Sequence, residues 1–572
     1  MTNNRQTKKI MIDILKLFSP YRKRIVIIII STIFTSLISI FTPLIRQILI
    51  DDGIIKNDMK TVGIITLVML LFVIVNLIFE YIEMVNSTYI IQMVPFNLLK
   101  ECFSKMLRLK MAYYDNTTYY KVIENIKFDI STITTVVDQS TFLILGRIVN
   151  FVGGLIGLSI ISWKLSIIIL IAIPIKICIT NYFTKRKTTL FKELMIKVEK
   201  SNEWLGDVLA NIETIKLWNL YTHSKNAFVD VKNEEISSRR TTIYNDKINN
   251  MISNVIGLIV SITIYFYGAS LVINGEITLG GLFAFLSYST TLISTISLIT
   301  FVKYRTAEII PAYLRYMEFL NLDEETSVDS KKISCHNRPS NISLRNVSLV
   351  VDNRTILENI SFTINKGEKV AIWGENGSGK TSIINLLLGF IHPSKGSILI
   401  DEINLKDIDI DSYRDNIRVV TQHTKLFNRS IYENVDPQNI YREQEIIDLL
   451  KEFNIESFLQ NLRRENNVKI GTNGNKLSGG EKQKLSLLRA YLKKGNILIL
   501  DEPTSNYDEE SKKTFDKIIK MKTNDNILII VTHNREILKE VDKIIKISNG
   551  TVDGIFTYEE FCEITSEISY KT

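Results

Sequence analysis

The sequence predicts an all-α membrane domain with six transmembrane helices, followed by an α/β domain that carries a P-loop. Long runs of Ile, Leu, Val and Phe fill roughly the first 310 residues, whereas the remainder alternates apolar and polar residues. At 572 residues the chain is too long for one hydrophobic core. A phosphate-binding motif begins at Gly374. We expect the membrane domain to cover residues 1–320, a linker 321–340 and the α/β domain 341–572.

Six apolar segments in the first part are long enough to cross a bilayer as helices. Each has about 20 residues, which corresponds to roughly 30 Å of helix. A cleaved signal peptide is a poor account of the first segment, because its apolar core is too long and no small-residue cleavage site follows it. The predicted spans are residues 24–45, 62–79, 141–163, 165–183, 251–273 and 279–302.

The distribution of basic residues predicts the orientation of these spans. Lys and Arg are concentrated before the first span and after the fourth, and such residues favour the cytoplasmic side. Six spans return the chain to the side on which it began. We therefore expect a multi-pass protein of the cell membrane whose N-terminus and α/β domain are cytoplasmic.

The two connections on the cytoplasmic side are long and have a helical pattern. Residues 96–110 and 198–216 place apolar and charged residues at helical spacing and contain no proline. We expect membrane helices that continue into the cytoplasm. A compact globular insert is the alternative.

Four ionisable residues fall inside or beside the predicted spans, where charge is costly. Arg46 and Glu80 lie near span ends, so their side chains can reach the interface. Arg147 and Lys176 lie deeper. These two are the better candidates for a polar path through the membrane.

Composition argues against several other kinds of site. The formal charge of +8 is expected for a membrane protein rich in cytoplasmic Lys and Arg, and no base-reading motif is present. Nucleic acid is therefore not an expected partner. The four cysteines lie far apart, without CxxC spacing or a histidine cluster, so they predict neither a metal site nor a disulfide framework.

The α/β part begins with strands predicted at residues 342–350, 356–364 and 369–373. A glycine-rich motif follows the third strand and precedes a helix predicted at 382–388, which is the context that a P-loop requires. Its backbone N–H groups can surround phosphates, Lys380 can reach the outer phosphates and Thr381 can bind Mg²⁺. The predicted ATP-binding residues are Gly374, Glu375, Asn376, Gly377, Ser378, Gly379, Lys380, Thr381 and Ser382.

Two acidic residues follow a buried strand predicted at residues 497–500. Asp501 can hold Mg²⁺ and Glu502 can polarise a water molecule. A solvated strand end is the alternative interpretation, but the P-loop upstream makes hydrolysis the better one.

A second glycine-bearing turn, residues 477–481, opens a helix predicted at 482–492. Its amides favour an anion, yet the P-loop already serves the phosphates of its own nucleotide. Ser478, Gly479 and Gly480 therefore make sense as a binding site for the ATP of a partner subunit. With these motifs in this order, the sequence resembles the ATP-binding cassette (ABC) family.

The resemblance extends through both parts of the chain and implies further roles. Gln422 resembles the Q-loop glutamine, which senses Mg²⁺, and His533 resembles the switch histidine, which holds the γ-phosphate. Residues 505–508 resemble the D-loop. The implied catalytic residues are Glu502, His533 and Gln422, and the implied Mg²⁺ ligands are Thr381, Gln422 and Asp501.

In the membrane part, residues 162–165 and 277–281 resemble recurrent exporter segments. Residues 111–129 and 211–218 resemble the regions that bear the two coupling helices of the family. The resemblance therefore covers both domains.

The sequence departs from the family pattern at two positions. Most members carry an aromatic residue about two dozen positions before the P-loop that stacks on adenine, whereas Val351 stands here. Loss of that stacking would cost about 1 to 3 kcal/mol. The second turn ends in Glu481 rather than glutamine, which we expect to be tolerated because Ser478 and the glycine amides contact the phosphates.

Fusion of both domains in one chain, membrane part first, implies by resemblance an ATP-driven exporter. We expect a homodimer around two ATP molecules, with a heterodimer as the alternative assembly. The spans combine apolar residues with hydroxyls, which favours an amphipathic or hydrophobic peptide, drug or lipid-like cargo. The hydroxyl-bearing residues expected to line the cavity are Ser261, Thr263, Tyr265, Ser287, Tyr288, Ser289 and Thr290.

Two other functions use the same motifs. Six apolar spans argue against a soluble or DNA-associated ATPase of the family. An ATP-gated channel or sensor stays open as the alternative function. About twenty polar residues precede the first span, so we expect no built-in protease that cleaves leader peptides.

Overall fold

The computed structural model describes residues 4–115, 119–137, 139–325, 332–335, 338–422, 424–452, 469–502 and 526–569. The chain forms two compact units. The first consists of Met1–Leu107 and Tyr119–Leu322, and the second of Arg108–Thr118 and Asp323–Thr572. A short segment that includes residue 110 therefore groups with the C-terminal unit, which the sequence did not predict.

Among its described residues, the first unit is built of helices. Six helical segments are long and apolar enough to cross a membrane, so the prediction of six spans is confirmed. The helices up to residue 320 are α1 (Asn4–Lys16), α2 (Arg22–Ile48), α3 (Met59–Met106), α4 (Met111–Asp115), α5 (Tyr119–Thr134), α6 (Gln139–Ile161), α7 (Trp163–Ala210), α8 (Ile212–Leu217), α9 (Tyr221–Ile273) and α10 (Leu279–Leu320). Of these, α4 belongs to the second unit.

Polar caps set the starts of two membrane helices. The Ser162 hydroxyl accepts a hydrogen bond from the Leu165 N–H, so α7 begins at Trp163. The predicted third span was therefore wrong at its last residue, which belongs to α7. Thr278 caps α10 in the same way through the Gly281 N–H. Lys164 and Glu276, which lie beside these two caps, form an ion pair of 2.6 Å.

Four helices are much longer than a bilayer requires. Helices α3, α7, α9 and α10 have 48, 48, 53 and 42 residues, or roughly 60 to 80 Å at 1.5 Å per residue. Helices that continue beyond the membrane are thus confirmed, but two predicted ends were wrong. Helix α3 ends at Met106 rather than at residue 110. Asn211 separates α7 from α8, because its backbone leaves the helical region and its amide donates to the carbonyl and carboxylate of Asp207.

The parts of α3, α5 and α10 that lie beyond the spans are joined by polar contacts. Arg315 on α10 forms a bidentate ion pair with the buried Asp129 on α5. The Tyr316 hydroxyl donates to the Glu101 carboxylate on α3 at 2.9 Å. Burial raises the pKa of Asp129, and the Arg315 guanidinium opposes that effect. These contacts hold the three helices together beyond the predicted spans.

The second unit contains two sheets and has the predicted α/β fold. The antiparallel sheet has the order β2-β1-β4-β5, and the larger sheet has the order β10-β9-β3-β8-β7-β6. Among the described strands of the larger sheet, only β10 runs antiparallel to its neighbour. The strands are β1 (Asn341–Val351), β2 (Arg354–Asn365), β3 (Lys369–Gly374), β4 (Lys395–Ile400), β5 (Ile403–Asn404), β6 (Ile417–Val420), β7 (Ile497–Asp501), β8 (Ile527–Thr532), β9 (Lys543–Ser548) and β10 (Thr551–Phe556).

Strands β7 and β8 are buried along their whole length and consist mainly of Ile, Leu and Val. This pattern is typical of parallel strands covered on both faces. Because β3, β8 and β7 are adjacent and parallel, the residues after their carboxyl ends lie side by side. The described helices of this part are α11 (Lys380–Leu387), α12 (Ile410–Asp415), α13 (Ile431–Val435), α14 (Glu443–Glu452), α15 (Gly479–Leu492) and α16 (Tyr558–Ser569).

Candidate active site

The loop between β3 and α11 requires glycine. Gly377 and Gly379 have φ values of +83° and +103°, a region that side chains disfavour. A Cβ on Gly374 would lie 2.3 Å from the carbonyl oxygen of Ile547 on β9. The loop therefore packs closely on the sheet and leads into the N-terminus of α11, where backbone amides lack intrahelical acceptors.

Lys380 is buried in this loop, with only 6% of its surface exposed. Its Nζ donates to the carbonyl oxygens of Gly374 at 2.7 Å and Glu375 at 2.9 Å. Burial lowers the pKa of the Lys380 amine, while the nearby carboxylates of Glu502 and Asp501 oppose that shift.

Ser378 lies in the same loop and is buried, yet its Oγ has no hydrogen-bond partner in the described structure. Buried hydroxyls are normally paired. A buried amine and an unsatisfied hydroxyl beside a helix N-terminus fit the phosphates of a nucleotide.

Glu502 lies at the centre of the three predicted catalytic residues. Gln422 Nε2 donates to its Oε2 at 2.7 Å, and His533 Nδ1 lies 3.3 Å from its Oε1. The Glu502 N–H donates to Val531 O on β8, and its φ of +46° is unusual for a residue with a side chain. The fold thus brings residues 80 and 31 positions away in sequence to one carboxylate.

The three predicted Mg²⁺ ligands lie on different elements. Asp501 is the last residue of β7 and is buried, whereas Thr381 on α11 is exposed. The Gln422 amide donates through nitrogen to Glu502, which leaves its oxygen as an acceptor. Hydroxyl, amide and carboxylate oxygens are ligands that Mg²⁺ accepts, so this donor set fits the metal.

The predicted turn for a partner's nucleotide is exposed and stabilised by its own residues. Ser478 Oγ accepts from the Glu481 N–H at 3.3 Å, and the Glu481 carboxylate accepts from the Ser478 N–H at 2.7 Å. This capping box starts α15 and gives Glu481 a role that a glutamine amide oxygen could also fill. Among the described residues, no atom beyond the chain neighbours lies within 4 Å of a Cβ built on Gly479, and Gly480 is half-exposed.

Val351 ends β1 and leaves 46% of its surface exposed. The next two residues, Asp352 and Asn353, have φ values of 47° and 63° and form the two-residue turn to β2. An aromatic side chain at this position would have room. The weakened contact of Val351 with adenine stays a prediction.

The predicted polar residues of the membrane part differ in exposure. Arg46, Glu80 and Arg147 are exposed on the single chain. Lys176 is buried, and its Nζ donates to the carbonyl oxygen of Ile293 on α10 at 2.6 Å. Lys176 is therefore held within its own chain.

Two of the hydroxyl-bearing residues predicted to line a cavity do not do so in this chain. Tyr288 and Ser289 are buried, and their hydroxyls donate to Ile40 O and Phe285 O respectively. The sequence prediction was wrong for both, because helix packing turns these side chains inward. The other five, Ser261, Thr263, Tyr265, Ser287 and Thr290, are exposed or half-exposed.

One polar residue of the membrane part was not predicted from the sequence. Glu83 on α3 accepts a hydrogen bond from the Thr32 hydroxyl at 3.2 Å. Its helical spacing from Glu80 could have revealed it, but the predicted span ended at residue 79. The predicted D-loop, residues 505–508, lies outside the described residues.

Comparisons with known families agree with this geometry. The family model of the ABC transporter transmembrane region matches residues 25–296, and the ABC transporter model matches residues 357–505. The fold and site define an ATP-hydrolysing membrane transporter. The chain belongs to the ABC transporter family, with its membrane region and its ATPase fused in one polypeptide.

Curated relatives resemble nearly the whole chain. A putative multidrug export ATP-binding/permease protein of Bacillus subtilis, YgaD, is 26% identical over 96% of this chain and 97% of its own. An uncharacterized ABC transporter ATP-binding protein of the same organism, YwjA, is 27% identical over 81% of both chains. An ATP-dependent lipid A-core flippase of Francisella tularensis is 25% identical over 82% of this chain and 78% of its own.

The structure of a bacterial Atm1-family ABC exporter with ATP bound has the same fold. It superposes with a TM-score of 0.82 at 20% identity, covering 95% of this chain and 96% of that one. The chain is thus a multi-pass membrane protein that binds and hydrolyses ATP and has the architecture of an exporter.

Proposed function

We propose that two copies of this chain form an exporter that moves amphipathic or hydrophobic compounds out across the cytoplasmic membrane. The N-terminus and the second unit would lie in the cytoplasm. The observation that carries the proposal is the pairing of Gln422 and His533 with one carboxylate, Glu502, beside the buried Lys380. Because each copy carries this complete catalytic set, no chain of another sequence is needed to supply it, which favours a homodimer over a heterodimer.

The residues of this site have separable roles. Lys380, Ser378 and the loop amides would bind the phosphates of ATP, and Thr381, Gln422 and Asp501 would hold Mg²⁺. When bound, Mg²⁺ neutralises charge on the phosphates. Glu502 would accept a proton from the attacking water, while Gln422 and His533 orient its carboxylate.

The Ser478 turn would complete the site of the other copy. Its capping box is closed by its own residues, and its outer face is open beside Gly479. Backbone amides at a helix N-terminus attract phosphate. Two identical chains would therefore form two composite sites, each with the P-loop of one copy and the Ser478 turn of the other.

The exposed surface of α9 and α10 supports the proposed cargo class. Apolar side chains dominate there, and Thr263, Ser287 and Thr290 carry hydroxyls that donate to carbonyls of their own helices. Their oxygen lone pairs can still accept from a cargo donor. Sugars or ions would need a denser polar lining. The multidrug and lipid relatives named above fit the same class of compound.

The test is ATPase stimulation in lipid nanodiscs by amphipathic peptides, amphipathic dyes, sugars and metal ions at matched concentrations. The Glu502→Gln variant serves as the blank. We expect stimulation by amphipathic compounds, and ATP-dependent uptake of the stimulating compound into inverted vesicles. Stimulation by a sugar or an ion alone would contradict the cargo class. Stimulation without uptake would contradict export.

A further inference from the structure

Three stretches of the second unit that are distant in sequence meet at Glu325. The Glu325 N–H donates to Arg108 O at 2.8 Å, and Leu109 forms an antiparallel bridge with Glu324. The Glu325 carboxylate accepts from Arg414 on α12, at 2.6 Å from Nη1 and 3.3 Å from Nη2. Glu325 therefore connects the residues that follow α3 with the ATPase fold. We call Arg108, Glu325 and Arg414 the linker junction.

Arg414 extends this junction to the helix that begins at the P-loop. Its Nε donates to Leu388 O at 3.1 Å and its Nη2 to Gly389 O at 3.3 Å. Leu388 is the C-cap of α11. The neighbouring Tyr413 is fully buried, and its hydroxyl donates to Leu387 O at 2.9 Å. Helix α12 is thus fastened to the far end of the P-loop helix.

The Glu325–Arg414 pair is better protected from water than the other ion pair that joins these stretches. The two side chains are 17% and 26% exposed, and the contact is a two-pronged guanidinium-carboxylate pair. Lys110 and Asp323 also join the same stretches at 2.9 Å, but those side chains are 45% and 82% exposed. An exposed pair contributes little, whereas a partly buried forked pair holds its geometry.

The predicted linker is attached to α12 at a second place. The Ile333 N–H donates to Asp407 O at 2.9 Å, and the Asp409 N–H donates back to Ile333 O at 3.0 Å. The Cys335 N–H donates to the Ser412 hydroxyl at 2.9 Å. Two of the described stretches of the linker, 321–325 and 332–335, therefore contact α12 or the residues just before it.

The position of the junction in the chain indicates which helices it can couple. Arg108 lies two residues after the end of α3, and Glu325 lies five residues after the end of α10. The chain therefore passes from the end of each of these long helices to the junction within five residues. A displacement of the α11 C-terminus would be carried by Arg414 to Glu325 and from there to Arg108.

We propose that Glu325 and Arg414 are positioning residues that couple the P-loop helix to the chain segments continuing from α3 and α10. The proposal rests on the proposed function as an ATP-driven exporter. It differs from coupling through the regions at residues 111–129 and 211–218, because the force passes through the linker. Its test uses no cargo, so it succeeds or fails independently of the cargo class.

The test is hydrogen exchange of the full chain in nanodiscs, with and without Mg²⁺ and the slowly hydrolysed analogue AMP-PNP. In the wild type we expect the nucleotide to slow exchange at residues 374–390 and at residues 100–110. Glu325→Ala should keep the slowing at 374–390 but lose about half or more of it at 100–110. Glu325→Gln, which keeps an acceptor oxygen, should give an intermediate loss.

The matched control is Arg345→Ala, which removes an exposed ion pair with Glu402 in the same unit. It should behave as the wild type. The proposal is overturned if Glu325→Ala matches the wild type at 100–110, if it loses the slowing at both segments, or if the wild type shows none at 100–110. If Glu325→Ala does not fold, the graded loss in Glu325→Gln decides in its place.

Discussion

Two glycine-bearing turns open helices in the second unit, and they differ in burial and in how their polar groups are paired. The P-loop buries Lys380 and Ser378 and packs Gly374 against β9. The Ser478 turn leaves Ser478 and Gly479 exposed and satisfies its cap with Glu481 alone. The buried amine and hydroxyl of the first turn fit its proposed role, which is to bind the phosphates of ATP held by the same copy. The second turn is exposed and capped by its own residues, which fits the proposed contact with the ATP of the other copy.

The largest effect should come from Glu502→Gln, which tests the catalytic side of this comparison. Glutamine keeps the shape of the side chain and its contacts with Gln422 and His533, but it accepts a proton poorly. We expect ATP turnover to fall about 10² to 10⁴-fold with ATP binding retained. Phosphate release and binding of a fluorescent ATP analogue in nanodiscs measure the two quantities. Turnover within a few-fold of the wild type would mean that another group is the base.

The next effect should come from Lys380→Ala, which removes the buried amine of the P-loop. Hydrogen bonds to a charged group contribute about 1.5 to 3 kcal/mol, so ATP affinity should fall roughly 10 to 100-fold. Titration with the fluorescent analogue measures the affinity. Lys395→Ala, at an exposed lysine on β4, is the control. Retained tight binding in Lys380→Ala would contradict the assigned role.

Gly479→Asp tests the other turn, with a smaller but more selective effect. Among the described residues, a Cβ on Gly479 meets no neighbouring atom within 4 Å, so the substitution should leave the fold and the P-loop of its own copy intact. Its carboxylate would face the phosphates of the partner's ATP, and like charges at short range repel. We expect turnover to fall about tenfold or more. Gly479→Asn has the same shape without the charge and should retain more activity. Unchanged turnover in Gly479→Asp would show that the turn serves no nucleotide.

Mixed dimers can separate a composite site from a self-contained one. Both copies carry Glu502→Gln so that bound ATP is not hydrolysed. In the first arrangement, one copy has Lys380→Ala and the other has Gly479→Asp, so both changes fall in the same composite site and the second site is intact. In the other arrangement, one copy has both changes, so each of the two sites carries one change. We therefore expect ATP retained after gel filtration only with the first arrangement. Equal retention in the two arrangements would contradict the homodimer with shared sites.

The comparison also shows how far the sequence could be interpreted. Local signals specify the spans and the motifs, because a P-loop needs only a strand, a glycine-rich turn and a helix in succession. The linker junction depends on Glu325 and Arg414, which are 89 positions apart in sequence. No local sequence pattern predicts an ion pair between residues so far apart. The direction of Tyr288 and Ser289 was missed for the same reason. Helix periodicity gives a face, but packing against α2 decides which face is buried.

The smallest expected effect concerns adenine rather than the phosphates, and Val351→Tyr tests it. An aromatic ring at this exposed strand end would stack on the base, at the lower end of about 1 to 3 kcal/mol because one face stays in water. ATP affinity should rise about fivefold, with a stronger preference for ATP over GTP. Val350→Tyr is the matched control, since Val350 is equally exposed but points to the other face of β1. Equal gains in both variants would reflect a general apolar effect. If Val351→Tyr raises the affinity for neither ATP nor GTP, the base is not contacted at this position. The residues that bind the phosphates would then account for the affinity for ATP at this end of the site.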